Sequence, residues 1–320
     1  MLYVTTRSKN DAFTAARIMN QDRGSDGGLF IPYRLPAFTP AEIYDMSKGS
    51  FPEVVAQMLN LFFSTKLTAW DVDLCIGRHP VRLSRLNNRV LVGESWHNLD
   101  HHFFRMVTNL TGMICGDANP VPGKWAETGV RIAVLFGIFG ELMREGITSR
   151  ELKADISVVS GDFSAPLSAW YAREMGLPLG NIICGCNANG AVWDLLHRGE
   201  MATNAISTKT NTPEADVTVP ENLERLVAGV LGREHVHAYL DKCRTGQQYT
   251  LSEENLEKLS RGMFASVISD SRVESIIHSV YRTNGYVFGP YAALAYGSLL
   301  DYRAKISQSR PAMLLSEKSP

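Results

Sequence analysis

Residues 155–175 read Asp155-Ile-Ser-Val-Val159, Ser160-Gly-Asp-Phe-Ser164, then Ala165-Pro-Leu-Ser-Ala-Trp-Tyr-Ala-Arg-Glu-Met175. The first piece is a short apolar run that predicts a strand over Asp155–Val159. The last predicts a helix over Ala165–Met175. Gly176-Leu-Pro178 stops that helix, and Asn181–Cys186 is the next strand. A strand, a helix and a second near-continuous apolar strand predict a parallel sheet with helices on both faces. The turn between them has its own chemistry. Backbone N–H groups at a glycine-containing strand–helix turn, with the helix N-terminus behind them, form a seat for phosphate. Asp162 lies in that turn. Its carboxylate either points into the seat, where it repels an anion, or caps the helix.

The same texture extends outward. Arg89–Gly93 predicts a strand, His102–Leu110 a helix, and 127–145 a long apolar helix. Helices are expected near 221–230, 252–268, 271–283 and 290–305, with a last strand at Ala312–Leu315. Residues 1–85 read differently, as a small helical unit. An amphipathic helix is expected over 12–21, an extended piece at Leu29–Pro32, and a second helix over 51–64. Thr39-Pro-Ala-Glu42 is a helix start, with a threonine cap and proline at the first helical position. The expected organisation is a helical N-terminal domain over 1–85 and an α/β domain over 86–320.

The chain has 320 residues, 45% apolar and 20% charged, which suffices for a sizeable core. A net charge of −1 gives no general attraction to nucleic acid or to an anionic membrane. The apolar stretch at residues 131–143 is interrupted by Gly137, Gly140 and Glu141, so a buried helix is expected there and no membrane span. No secretory signal is read at the N-terminus. Five scattered cysteines predict free thiols and a cytoplasmic location. Cys184-Gly-Cys186 has no second pair near it, so two small buried side chains at a strand end are expected in place of a zinc site. Trp170, Tyr171 and Trp193 are expected in the core. His235 and His237, flanking Val236, are expected on a solvated helix surface.

The stretch from Ile156 to Ser164, followed by Ala172-Arg-Glu-Met-Gly-Leu-Pro178, resembles a pattern of the threonine synthase family. Other pieces match that family in the same order: Tyr3-Val-Thr-Thr-Arg7, Asp26-Gly-Gly-Leu-Phe-Ile-Pro32, Ile183–Gly190, Asp216–Leu226 and Gly289-Pro-Tyr-Ala-Ala293. The resemblance implies a tryptophan-synthase-β-like, type II pyridoxal-phosphate fold with a small helical N-terminal domain. It also implies a pyridoxal-phosphate cofactor, a lyase converting O-phosphohomoserine to threonine, and a place in threonine and amino-acid biosynthesis.

The chain departs from the family at four places. The Schiff-base lysine falls at His101, within Ser95-Trp-His-Asn-Leu-Asp-His-His-Phe-Phe104, and imidazole forms no aldimine. The substrate-binding segment has no counterpart between Leu110 and Trp125, so one small subdomain is expected to be missing. The loop reads Gly161-Asp-Phe-Ser164 where the family has Gly-Asn-Phe-Gly. In the C-terminal motif only Ser316 offers a hydroxyl of the kind that contacts the pyridine nitrogen. The resemblance thus assigns a degenerate cofactor site to Gly161, Asp162, Phe163, Ser164 and Ser316. With the lysine gone, no cofactor is expected.

His97, Asp100 and His101 have helical spacing that can hold a divalent metal, against a plain reading as a polar helix start. Three functions compete. The first is a catalytically inactive relative, a pseudoenzyme that binds a protein partner, itself as a homodimer, or a small anionic ligand. The second is an enzyme of altered chemistry, with non-covalent pyridoxal phosphate or a metal at His97 and His101. The third is residual threonine synthase. Loss of a covering subdomain exposes apolar surface and favours a partner.

Overall fold

The computed structural model describes residues 1–76, 81–96, 103–307 and 310–320. It divides into two compact units, each assembled from separate stretches of chain.

The first unit comprises Met1–Arg82, Gly93–Ala154 and Ser168–Leu179. Helix Pro40–Ser47 starts as the sequence predicts. Thr39 Oγ1 accepts the Glu42 amide, and Glu42 accepts the Thr39 amide at 2.7 Å. Ser50 and Glu53 repeat this reciprocal cap at the head of helix Phe51–Phe63. Against these two helices packs Lys124–Arg144, buried along most of its length. Its glycines admit aromatic rings: a methyl group on Gly129 would lie 2.7 Å from the Phe63 ring. Around it Trp125 meets Tyr3, Phe62 and Tyr171 edge-on, at centroid distances of 5.5, 6.2 and 5.6 Å. The Tyr3 hydroxyl donates to the Phe62 carbonyl at 2.7 Å, and burial pushes its pKa up. Helix Phe103–Cys115 is joined to Lys124–Arg144 by residues 116–123 alone, which leaves no room for a strand–helix subdomain between them.

The helix expected over 12–21 is shorter than predicted. Phe13–Thr14 is a strand that pairs antiparallel with Leu2–Thr5, which also pairs with Phe30–Pro32. Only Ala15–Ile18 remains helical. Sheet pairing here overrides a helical hydrophobic pattern.

The second unit comprises Leu83–Val92, Asp155–Leu167 and Gly180–Pro320. It holds most of a six-stranded sheet, in the order Met263–Val267, Leu179–Cys186, Ala154–Val159, Ala312–Ser316, Val90–Glu94, Arg82–Asn87. Met263 pairs parallel with Ile182, and Ala312 pairs parallel with Asp155. Arg82–Asn87 and Val90–Glu94 are joined by a two-residue turn, which only antiparallel neighbours allow. The fold is α/β with a mostly parallel central sheet. Helix Pro290–Ala304 approaches the sheet closely because Gly185 has no Cβ, which would meet the Leu294 carbonyl at 2.9 Å. Ser157 and Ser298 hydroxyls tie helix to sheet through the carbonyls of Ala295 and Cys184, at 2.8 and 3.1 Å.

The helix expected over 252–268 ends early. Glu253–Ser260 is helical, Gly262 turns the chain at φ +67, and Met263–Val267 becomes the edge strand beside Leu179–Cys186. Cys184 and Cys186 are fully buried at the end of their strand, and Trp170 and Tyr171 are buried, all as expected. Trp193 is half-exposed instead, stacked on His197 with Arg198 over its ring. Val236 is buried while its histidine neighbours are not.

Candidate functional site

The carboxyl ends of parallel strands are where an open α/β sheet holds its ligands. In the second unit the loop Ser160–Ser164 leaves strand Ala154–Val159 at that edge. Strand Ala312–Ser316 runs parallel beside it with Leu314 opposite Ser157, so Ser316 stands level with Val159. The sequence-predicted residues Gly161, Asp162, Phe163, Ser164 and Ser316 therefore come to one edge of the sheet. His97, Asp100 and His101 lie outside the described residues. Among the described residues, no three of His, Cys, Asp and Glu are grouped to hold a metal.

Two left-handed residues shape the loop, Gly161 at φ +40 and Phe163 at φ +70. A phenylalanine rarely adopts this conformation. Complete burial of the Phe163 ring and donation of its amide to the Ser160 carbonyl at 2.7 Å hold it there. The Ser160 amide in turn donates to the Gly185 carbonyl at 2.9 Å, which fixes the loop to the neighbouring strand.

Asp162 is held from two directions. Its Oδ1 accepts the Ser164 amide at 3.0 Å, at the head of helix Ser164–Glu174. Its Oδ2 accepts Asn222 Nδ2 at 3.2 Å, and its carbonyl accepts the Asn222 amide at 3.1 Å. Asn222 is buried, and its side-chain oxygen accepts from Nη1 of Arg225, which is fully buried. Of the two roles open to Asp162 in the sequence, capping is the one observed.

Around the loop lie groups that the sequence does not single out. Asp216 Oδ1 accepts Asn187, Asn189 and Thr210 side chains at 2.8, 3.1 and 2.7 Å, and its Oδ2 accepts the Thr210 amide. The only local signal was the alternation Asn187-Ala-Asn189, which puts both amides on one side of an extended chain. Lys318 Nζ lies 2.6 Å from Glu214 Oε2, and the Glu214 amide donates to the Tyr291 hydroxyl at 3.1 Å. Burial and the carboxylates of Glu214 and Asp216 raise the Tyr291 pKa, against the Glu214 amide and Lys318. The Ser316 hydroxyl donates to the Lys318 carbonyl at 3.3 Å.

This is the architecture of type II pyridoxal-phosphate enzymes. Pyridoxal-phosphate-bound threonine synthase from Brucella melitensis superimposes with a TM-score of 0.85, at 18% identity over 100% of this chain and 89% of that one. Yeast threonine synthase gives 0.86, at 18% identity, over 100% and 87%. Residues 2–79 match the domain family described as threonine synthase N terminus. Human threonine synthase-like 1 is 26% identical over 200 residues, or 61% of this chain. That match spans only 26% of the human protein's length. The chain thus shares the threonine synthase fold, and its residues 2–79 match the N-terminal domain of that family.

The fold family implies pyridoxal phosphate, and the loop can be tested against its phosphate. Among the amides of residues 161–167, Phe163 donates to Ser160, Ser164 to Asp162, and Leu167 to Phe163. Pro166 has no N–H. The amides of Gly161, Asp162 and Ala165 remain, but the fixed carboxylate of Asp162 stands among them. A carboxylate held among these donors does not fit a phosphate dianion. Asn187, Tyr291 and Ser316 are likewise engaged with protein partners.

Proposed function

We propose that this chain retains the threonine synthase scaffold as a binding protein and does not carry out lysine-dependent pyridoxal-phosphate chemistry. The observation that carries this reading is the residue at position 101. The family's Schiff-base lysine is a histidine here, and an imidazole cannot condense with an aldehyde to an imine. Lys318, two residues beyond Ser316, is ion-paired with Glu214. A protein partner, another chain or a second copy, is favoured by the first unit. Trp70 and Leu74, one turn apart on helix Ala69–Ile76, are 69% and 59% exposed. Large apolar side chains so displayed mark interaction surfaces. All five cysteines are free thiols, which supports a reducing, cytoplasmic setting.

The test is to incubate the full chain with pyridoxal phosphate and add borohydride. No absorbance band of an internal aldimine and no covalent pyridoxyl adduct by mass spectrometry is the expected result. A stoichiometric adduct on one lysine overturns the reading.

A further inference from the structure

A phosphate seat at a strand–helix turn works because its N–H donors have no partner within the chain. Here the chain supplies one. The carboxylate of Asp162 reaches forward two residues and takes the Ser164 amide. It is not a loose surface side chain that a ligand can displace. Asn222 grips both its carbonyl and its Oδ2, and Arg225 holds the Asn222 side-chain oxygen. Asn222 and Arg225 are buried, and Arg225 sets a positive charge behind the carboxylate at one residue's remove. Pro166 removes a further donor from the same helix turn.

We propose that Asp162 is a built-in anion, whose carboxylate occupies the hydrogen-bonding position of a ligand phosphate and, fixed by Asn222 and Arg225, closes this edge of the sheet to phosphorylated ligands. The inference concerns the same site as the proposed function but rests on a different observation. That function needs only the loss of the lysine at position 101, whereas this inference excludes even non-covalent pyridoxal phosphate. It also makes a protein the favoured partner over a small anion. Asp162 and Asn222 are positioning residues in this scheme. Neither is assigned a chemical step.

Substituting Asp162 separates the charge from the cap. Asp162→Asn keeps an acceptor for the Ser164 amide and removes the charge. Asp162→Ala removes both and frees the amide. The full chain and the two variants are titrated with inorganic phosphate and with pyridoxal phosphate, and binding is read by calorimetry and thermal shift with chloride as the control. The wild type is expected to show no saturable binding of either ligand. Both variants are expected to gain phosphate affinity by about tenfold or more, the factor that about 1.4 kcal/mol produces. Asn222→Ala, which releases the carboxylate without removing it, is expected to fall between. Wild-type binding as tight as that of Asp162→Asn overturns the inference, and so do folded variants that gain nothing. If the variants do not fold, hydrogen exchange at the Ser164 amide in the wild type decides. Protection unchanged by phosphate supports the proposal, and a phosphate-dependent change refutes it. Non-covalent wild-type binding sinks this inference alone, while a borohydride-fixed adduct sinks the proposed function as well.

Discussion

Gly137 faces the ring of Phe51 so closely that a methyl group in place of its hydrogen would lie 2.8, 2.9 and 3.1 Å from three ring carbons. Three residues further along the same helix, Gly140 has its nearest neighbour at 3.6 Å, an ordinary contact distance. Two glycines of one buried helix thus sit in different packing, and their replacement should have opposite effects.

Alanine in a helix is favoured over glycine by up to about 1 kcal/mol. Overpacking a core costs about 1–3 kcal/mol. For Gly137→Ala the second effect wins, and a net loss of about 1 kcal/mol is expected in urea unfolding. For Gly140→Ala the first acts alone, and unchanged or higher stability is expected. Equal effects from the two variants would contradict the packing described.

The carboxylate of Asp301 gives a pH-dependent term. Burial alone would raise its pKa, but hydrogen bonds from Arg272 and Ser266 outweigh that and leave it lowered. Arg272 Nη1 and Ser266 Oγ reach Asp301 Oδ2 at 2.9 and 2.7 Å. A lowered folded-state pKa means stability that is present above the unfolded carboxylate range and lost as pH falls through the folded value. Asp301→Asn is expected to cost about 1 kcal/mol at neutral pH, since partial exposure screens the pair. Its difference from the wild type should shrink below about pH 4. A difference that stays constant with pH would show that charge plays no part.

Thiols titrate in the other direction. Burial pushes Cys75 and Cys186 up to about 11. Their stabilising contribution is complete below the unfolded thiol range and is lost as pH rises through about 11. At pH near 8, iodoacetamide should modify the exposed Cys115 while Cys75, Cys184 and Cys186 react only on unfolding. Mass mapping checks this, and early labelling of Cys184 would refute the burial.

The reciprocal cap of Thr39 and Glu42 should behave as a unit. Thr39→Ala is expected to cost about 1 kcal/mol. Glu42→Ala should cost less in the Thr39→Ala background than in the wild type, because one substitution already breaks the box. Strict additivity in a double-mutant cycle would exclude coupling.

Much of the fold was legible in short stretches. The strand Ala154–Val159, the following helix and the strand to Cys186 each carry their own periodicity, and their alternation implies the parallel sheet. Met263–Val267 was misread because a short apolar run looks the same in a strand as in the end of a helix. Only its pairing with Ile182–Cys186 makes it an edge strand. Arg82–Asn87 was missed for a related reason. Its apolar residues, Leu83 and Leu86, do not alternate, and its place comes from the hairpin with Val90–Glu94.

The site divides in the same way. Residue identity alone determined that position 101 offers no amine, that the loop carries an acid and that Pro166 offers no donor, because these are properties of single side chains and backbone atoms. Whether Asp162 faces a ligand or caps its own helix depends on Asn222 and Arg225, some 60 residues away in the chain. The Asp216 network depends likewise on Asn187, 29 residues distant. Such roles are set by partners that folding brings together, so only the tertiary structure decides them.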